Sequence, residues 1–145
     1  MVELLQIFKD VKVKVVGSSQ FGRYKALYEL VPVKERRPLT LRDLKAHVNR
    51  LKRKYPYRHF QLRHTCVGGR EFWVIDRKSR YRDENGNVVR VWDRVPIYID
   101  LKTQSFYVPK WYVKNKRKLA YYIIMVTLCS LGVARTKYVN NIGRS

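Results

Sequence analysis

The strongest constraint on this chain is the imbalance of its charges. Its 145 residues include 32 Lys and Arg against 11 Asp and Glu, a formal net charge of +21. A surface this basic repels itself unless a polyanion screens it. Apolar residues make up 46% of the chain, so it can still bury a core, which excludes a disordered tail or an acidic linker. We therefore expect a compact cationic domain whose partner is nucleic acid.

The number of cysteines and the length of the longest apolar run exclude further classes of protein. Cys66 and Cys129 are too few for a four-thiolate zinc site or an iron–sulfur cluster within one chain, and we expect no cofactor. The longest apolar run, residues 119–133, is shorter than the roughly 20 residues that a membrane-spanning helix needs. We interpret this run as a buried helix and expect no membrane insertion.

The first part of the chain predicts a strand and a basic helix. Valine and lysine alternate over residues 11–16, which is typical of a half-buried strand, whereas residues 24–33 fit either a helix or a strand. Thr40 and Asp43 have the spacing of a capping box at a helix N-terminus, and Pro56 ends that helix. Apolar residues recur between them at helical spacing: Leu41, Leu44, Val48 and Leu51.

Turn residues predict an antiparallel meander in the middle of the chain. Gly68-Gly69 and Asn85-Gly86 each separate two strand-like runs and are typical hairpin turns. A further strand is predicted over residues 96–102, and residues 106–108 are expected to pair with it. A last helix is predicted from about residue 114 to 131, apolar nearly all round in its second half and capped by Gly132.

Together these elements predict an α+β fold. The sheet is expected to be antiparallel or mixed, with the basic helix before it and a long apolar helix after it. We expect a single nucleic-acid-binding domain over residues 1–145, with a basic N-terminal part in residues 1–59 and the sheet in a core over residues 60–140.

Three polar residues of the meander are candidates for a hydrolytic metal site. Asp76 closes one predicted strand, and Asp100 and Lys102 lie on another, where alternation places both on one face. If the strands are neighbours, two carboxylates and an ammonium converge, as Mg²⁺-dependent hydrolysis requires. Asp93 is a second choice for the first carboxylate. Alternatively, the carboxylates neutralise arginines that are near in sequence: Arg70, Arg77 and Arg94.

The order of these motifs resembles the PD-(D/E)xK nucleases, and within them the CRISPR-associated RecB-like exonucleases. In that family a glycine-led strand ends in Asp, as Gly69-Arg-Glu-Phe-Trp-Val-Ile-Asp76 does here. A neighbouring strand carries (E/D)-x-Lys, as Ile99-Asp-Leu-Lys102 does, and the next helix carries Gln-x-x-x-Tyr, where this chain has Lys118 to Tyr122. The resemblance covers about residues 60–140 and implies a restriction-endonuclease-like core.

Departures from that family imply that catalysis has been lost. Lys118 replaces the glutamine, and a cation there opposes metal binding by repulsion. The cluster-binding cysteines have no counterpart, and the sequence stops about where the family's C-terminal segment would begin, as in a truncated member. The resemblance therefore implies a vestigial site of Asp76, Asp100, Lys102 and Tyr122 without a resident metal; an intact site would take Mg²⁺.

This pattern is similar to that of inactivated nuclease derivatives that serve as nucleocapsid proteins in filamentous viruses of hyperthermophilic archaea. The similarity implies a structural protein that packages double-stranded DNA without sequence preference, in the virion and, during assembly, in the host cytoplasm. Its other partners would be copies of itself and a second capsid protein, with no small-molecule substrate. An active metal-dependent DNase and a ribosomal or other RNA-binding protein are the alternatives.

Phosphate contacts are predicted from two basic segments, because cations without compensating acids favour a polyanion. The predicted contacts are Arg36, Arg37, Arg42, Lys45, Arg50, Lys52, Arg53, Lys54, Arg58, Lys114, Lys116, Arg117 and Lys118. Aromatic residues beside these segments could stack on bases: Tyr55, Tyr57, Trp111 and Tyr112.

Overall fold

The computed structural model describes residues 2–18, 24–56, 58–82, 84–92 and 97–144, and within them the chain forms nine strands and three helices. The strands are β1 Leu4–Gln6, β2 Lys14–Ser18, β3 Tyr24–Pro32, β4 Arg58–Val67, β5 Arg70–Arg82, β6 Val88–Trp92, β7 Tyr98–Asp100, β8 Ser105–Pro109 and β9 Ala134–Arg144. The helices are α1 Leu41–Lys54, α2 Lys110–Asn115 and α3 Arg117–Ser130. Every strand pair is antiparallel, which confirms the α+β class.

These elements belong to two compact units. Unit 1 comprises residues 1–37 and 107–145, and unit 2 comprises residues 38–106, so β8 begins in one unit and ends in the other. That the units act as one nucleic-acid-binding domain, with a boundary near residue 59, stays a prediction.

Unit 2 is built on the hairpin of β4 and β5. Gly68 and Gly69 form its turn with φ of 58° and 79°, a conformation that a tight hairpin requires and that residues with a side chain disfavour. Gly86, with φ of 79°, lies in the turn between β5 and β6. Both predicted hairpins are confirmed. On the side away from β4, the first half of β5 pairs with β7.

The basic helix of unit 2 begins and ends as predicted. The Oγ1 of Thr40 accepts a hydrogen bond from the N–H of Asp43 (3.3 Å), and Oδ2 of Asp43 accepts one from the N–H of Thr40 (2.9 Å), which completes the capping box. α1 ends at Lys54, two residues before the proline. Its buried side packs on β4 and β5 through a cluster of Val48, Phe60 and Ile75.

Unit 1 contains a three-stranded sheet in the order β2-β3-β9, and β1 pairs with β8. The predicted alternation is confirmed, since Val11 and Val13 are buried while Lys12 and Lys14 are exposed, although β2 begins only at Lys14. The ambiguous residues 24–33 form the central strand, β3. α3 contacts both β2 and β9.

The prediction of one long apolar helix over residues 114–131 is wrong. The chain leaves helical conformation at Lys116, whose φ and ψ are −125° and 39°, and this separates α2 from α3. The poor helix former Asn115 directly precedes this break, and four cations lie around it. Those cations are Lys114, Lys116, Arg117 and Lys118.

The C-terminus of α3 follows the prediction. Gly132 has φ of 75°, its N–H donates to the carbonyl of Cys129, and the N–H of Val133 donates to the carbonyl of Leu128, which is the Schellman arrangement. In the described part of the chain, no helix combines the length and the apolar character that crossing a bilayer requires.

Candidate functional site

The register of β5 and β7 separates the two predicted metal ligands. Trp73 lies opposite Ile99 and Val74 opposite Tyr98. This antiparallel register places Asp100 next to Phe72 in the ladder, four residues before Asp76 along β5. At about 3.3 Å per residue, the separation along the strand is roughly 13 Å, too long for two carboxylates to bind one Mg²⁺ at about 2.1 Å. No group of three or more His, Cys, Asp or Glu suited to a metal ion occurs in the described residues.

Lys102 does not share a strand face with Asp100, so that prediction is wrong. β7 ends at Asp100, and residues 101–104 form a turn. Oδ1 of Asp100 accepts hydrogen bonds from the N–H of Lys102 (3.0 Å) and of Thr103 (3.2 Å), an arrangement in which an aspartate stabilises a turn. The Lys102 ammonium is exposed and lies 3.9 Å from Oε2 of Glu71.

Each of the two buried carboxylates is instead bound by an arginine. Nε of Arg63 donates to Oδ2 of Asp76, and Nη2 of Arg70 donates to Oδ2 of Asp100, both at 2.7 Å. Asp76 and Asp100 are only 3% and 5% exposed, and a buried carboxylate is costly without such a partner. Arg70 is one of the arginines that the alternative interpretation named for this role.

Sequence reasoning missed Arg63, because it lies thirteen residues before its partner Asp76. The register of the β4–β5 hairpin places Arg63 opposite Val74, two residues from Asp76 along β5 and within reach of a long side chain. Counting back from the Gly68-Gly69 turn gives this pairing, so the hairpin signal was sufficient to find it.

Hydrogen bonding favours the charged forms of Arg63 and Asp100. The hydrogen bond to Asp76 raises the pKa of Arg63, against the opposing effect of burial. Burial would raise the pKa of Asp100, but hydrogen bonds from Arg70 and Thr103 and the attraction of the guanidinium outweigh it and lower the pKa. At neutral pH Asp100 is therefore ionised, and it holds an arginine and a turn in place.

The last proposed member of the vestigial site is Tyr122. Tyr122 belongs to unit 1, whereas Asp76, Asp100 and Lys102 belong to unit 2. Tyr122 is exposed on α3, as is Lys118 one turn before it. The alternative ligand Asp93, with Arg94 and the side chain of Arg77, lies outside the described residues.

Six of the eight exposed residues of α1 are cations. Its only acid, Asp43, is engaged in the capping box. A helix of 14 residues is about 21 Å long, and here that length carries six exposed cations on one side. We call these residues the α1 basic face: Arg42, Lys45, Arg50, Lys52, Arg53 and Lys54.

The buried side of α1 determines which way the basic face points. Leu44 and Val48 are buried, and His47 beside them is only 2% exposed. Burial, and then the nearby charge of Arg50, lowers the pKa of His47 from 6.5 to about 4. His47 is therefore neutral at pH 7, so that the helix packs a neutral side toward the sheet and a charged one toward solvent.

An exposed aromatic ring extends the α1 basic face at its C-terminal end. The Tyr55 ring centroid lies 5.4 Å from Nζ of Lys54 and 5.5 Å from Cζ of Arg58, within the range of a cation–π contact. Trp111 is exposed on α2, whereas Tyr112 is buried, so the prediction that Tyr112 could stack on a base is wrong. Tyr57 lies outside the described residues.

The other predicted phosphate contacts form two smaller groups. Nη1 of Arg36 donates to the carbonyl oxygen of Arg37 at 3.3 Å, in the segment before α1. In unit 1, exposed cations surround the break between α2 and α3, where the first turn of neither helix contains an acid. These are Lys114, Lys116, Arg117 and Lys118.

Comparison of the chain with protein-family models, with curated proteins and with solved structures finds no match in any of the three.

Proposed function

We propose that this chain is a structural, sequence-independent DNA-binding protein that coats and packages a double-stranded DNA genome as a nucleocapsid protein. The observation that carries this proposal is the α1 basic face. Six exposed cations lie on one helix, and the only acid of that helix is engaged in its cap. Such a surface is unfavourable by itself and becomes favourable against a dense row of phosphates.

A DNA duplex matches the length of this helix. Duplex DNA carries one charge per about 1.7 Å of its axis, so about 21 Å of helix spans roughly 12 phosphates. Long Lys and Arg side chains on an exposed helix can reach several of these phosphates at once. Contacts to phosphate position a protein on DNA without reading its sequence, as packaging a whole genome requires.

The arginine-bound carboxylates favour a coat protein over an active nuclease. Asp76 and Asp100 lie apart along the sheet, and each already has a guanidinium partner at 2.7 Å. A metal ion would have to displace those arginines and bridge the roughly 13 Å between the two positions. That the framework derives from a nuclease is part of the proposal and rests on the resemblance of the sequence motifs.

The salt dependence of binding tests the α1 basic face. We expect the affinity for a duplex to fall about 10³–10⁵-fold between roughly 50 and 200 mM salt if ~6–10 phosphates are contacted. The triple variant Arg42→Gln, Lys45→Gln, Arg53→Gln should lower the slope of log K against log salt by about 3, because each lost phosphate contact removes about one unit.

A matched control removes three exposed lysines from unit 1, by Lys12→Gln, Lys14→Gln and Lys25→Gln. It changes the net charge equally but should leave the slope close to that of the wild type. If both triple variants lose the same slope, DNA is responding to net charge alone and the α1 basic face is not the interface.

Two further assays separate the proposal from its alternatives. Competition between DNA and RNA duplexes of matched length should show no preference for RNA; a clear preference would favour an RNA-binding protein instead. Incubation of DNA with the protein and Mg²⁺ or Mn²⁺ should leave the DNA intact. Cleavage that disappears in Asp100→Ala and Lys102→Ala would overturn the structural role in favour of a DNase.

Packaging is tested on long DNA. We expect saturating protein to shield a duplex of several kilobases from an added nuclease and to form particles of regular width in electron micrographs. The proposal also places the protein in the virion, and in the host cytoplasm during assembly, with a second capsid protein as a further partner. Short protected fragments and bare DNA in the micrographs would contradict a coat.

A further inference from the structure

The exposed side of α3 is apolar. Leu119, Tyr122 and Val126 are 50%, 55% and 45% exposed. Their spacing of three and four residues aligns them in one row along the helix, which we call the α3 stripe. Single exposed apolar side chains are ordinary, but a continuous row on one helix is typical of a surface that another molecule covers.

We propose that the α3 stripe is a contact between two copies of this chain, in which the α3 helices pack side by side in antiparallel orientation. This inference rests on the proposed function, because a protein that coats DNA needs contacts between its copies. It adds to that function the surface through which one copy meets the next.

The α3 stripe is self-complementary about its own centre. The row continues past Val126 to the exposed Ser130, and its midpoint lies between Tyr122 and Val126. A two-fold axis there would place Tyr122 beside the partner's Val126, and Leu119 beside the partner's Ser130. The same patch then serves both copies, as a symmetric dimer contact requires. The row from residue 119 to 130 is about 17 Å long.

For two copies in contact, charge favours the antiparallel orientation over the parallel one. Arg117 and Lys118 lie in the first turn of α3, whereas its last turn contains no charged residue. The carbonyl end of a helix carries a partial negative charge of about half a unit. Antiparallel packing brings each cationic first turn to the partner's carbonyl end. Parallel packing would instead set the cations of both copies against each other.

The contact is expected to be weak unless DNA is present. Two chains of net charge +21 repel each other, and three half-exposed side chains cover far less than the roughly 800 Å² per partner of a stable complex. Duplex DNA removes both obstacles, because it screens the charge and holds neighbouring copies at a high effective concentration. We therefore expect monomers in dilute buffer and contact between copies on DNA.

Cross-linking tests the geometry. In a background of Cys66→Ser and Cys129→Ser, equal amounts of a Tyr122→Cys protein and a Val126→Cys protein are bound to a long duplex and treated with a short bismaleimide. We expect the 122–126 cross-link between different copies to dominate. A dominance of 122–122 and 126–126 cross-links would indicate parallel packing, and an absence of all three would place the contact elsewhere; either overturns the proposal.

Cooperative binding tests the energetic role. Val126→Asp should raise the protein concentration needed to saturate a long duplex about tenfold and abolish cooperativity. Val16→Asp is the matched control, since Val16 is a similarly exposed valine of unit 1, at 53% against 45% for Val126. On a duplex with room for one chain, both variants should bind alike. The uncharged Tyr122→Ser should also reduce cooperativity, and thermal melting checks that each variant is folded.

The outcomes separate this inference from the function on which it rests. If Val126→Asp saturates the long duplex as cooperatively as Val16→Asp, the α3 stripe is not the contact, although binding to DNA still stands. If wild-type protein fails to bind even the short duplex, the proposed function itself fails. If wild-type protein binds only with a second, acidic protein that protects the stripe from labelling, the occupant is that protein rather than a second copy.

Discussion

α1 and α3 both have 14 residues, yet they expose opposite chemistry to solvent. α1 begins with a capping box and presents cations along its outer side, while α3 begins without a side-chain cap and presents the apolar α3 stripe. Both bury leucines completely on their inner sides, at Leu44 and Leu128. Because the buried sides of the two helices pack in the same way, it is the exposed side chains that indicate what each helix contacts.

The two helices also differ in how much of their circumference is apolar. α1 has a single buried apolar side, so its remaining positions face solvent and can carry charged side chains. α3 is apolar on the side that contacts β2 and β9 and again on the side that faces solvent. The inner apolar side packs in the core, whereas the outer apolar side remains exposed to solvent.

The largest expected effect tests whether the inner sides are equivalent. Leu44→Ala and Leu128→Ala should each lower the free energy of unfolding by about 2–5 kcal/mol, because each leaves a cavity in a packed region. Leu119→Ala on the α3 stripe should change it by less than about 0.5 kcal/mol. Chemical denaturation measures all three. A Leu119 variant as unstable as the Leu128 variant would mean that the stripe is already covered.

The pH dependence of the free energy of unfolding gives the next contrast between the helices. Among the described residues, only α1 buries a histidine. Since the pKa of His47 is about 4 in the fold and 6.5 in its ordinary state, its stabilising contribution is complete above pH 6.5 and is lost as the pH falls toward 4. The loss amounts to about 3 kcal/mol. In His47→Gln the free energy of unfolding should vary less across this window, measured by denaturant titration at each pH.

Subtracting the pH profile of His47→Gln from that of the wild type separates the effect of His47 on the free energy of unfolding from the effect of the carboxylates. Asp100, whose pKa is lowered, contributes stability that is lost mainly below pH 4, and this loss is common to both proteins. Parallel pH profiles between pH 4 and 6.5 would show that His47 is protonated as readily in the fold as in the unfolded chain.

The C-terminus of α3 should be more sensitive to substitution than its start. Gly132→Ala forces a side chain into φ of 75° and should cost about 1–2 kcal/mol, even though the added methyl group meets no neighbour within 4 Å. Gly132→Asn should recover part of the loss, since asparagine tolerates this conformation better. Thermal melting of the three proteins gives the comparison; equal melting temperatures would mean that the turn relaxes.

The smallest expected effect concerns the starts of the two helices. Thr40→Ala removes the cap of α1 and should cost about 1 kcal/mol, whereas Thr40→Ser keeps the hydroxyl and should cost little. Lys116→Ala at the start of α3 should change the free energy of unfolding by less than about 0.5 kcal/mol, because no side-chain cap is lost there. Equal losses at Thr40 and Lys116 would contradict the contrast drawn between the helices.

Features of the fold that depend on a few neighbouring residues could be predicted from the sequence. The Thr40–Asp43 cap spans three residues, and the hairpin turns at Gly68-Gly69 and Gly86 depend on glycine's access to positive φ. The break at Lys116 was missed, because the helix was predicted from apolar spacing, which does not show where a helix is interrupted.

The candidate site was also predictable only where it depends on residues close together in the chain. The α1 basic face was predictable, because helical spacing and a capping residue determine which positions face outward. The metal site was not, because period-two alternation tells which face of a strand a residue occupies but not which residue of the neighbouring strand lies beside it. The observed register of β5 and β7 separates Asp76 from Asp100.

By itself, the sequence determined the charge, the turns and caps and the direction in which α1 presents its cations, since each of these follows from residues close together in the chain. Only the tertiary structure decided that Asp76 and Asp100 lie apart, that Arg70 binds Asp100, and which apolar side chains of α3 remain outside. Those outcomes depend on strand register and on how much of a helix its neighbours cover, and both are set by packing between residues far apart in the chain.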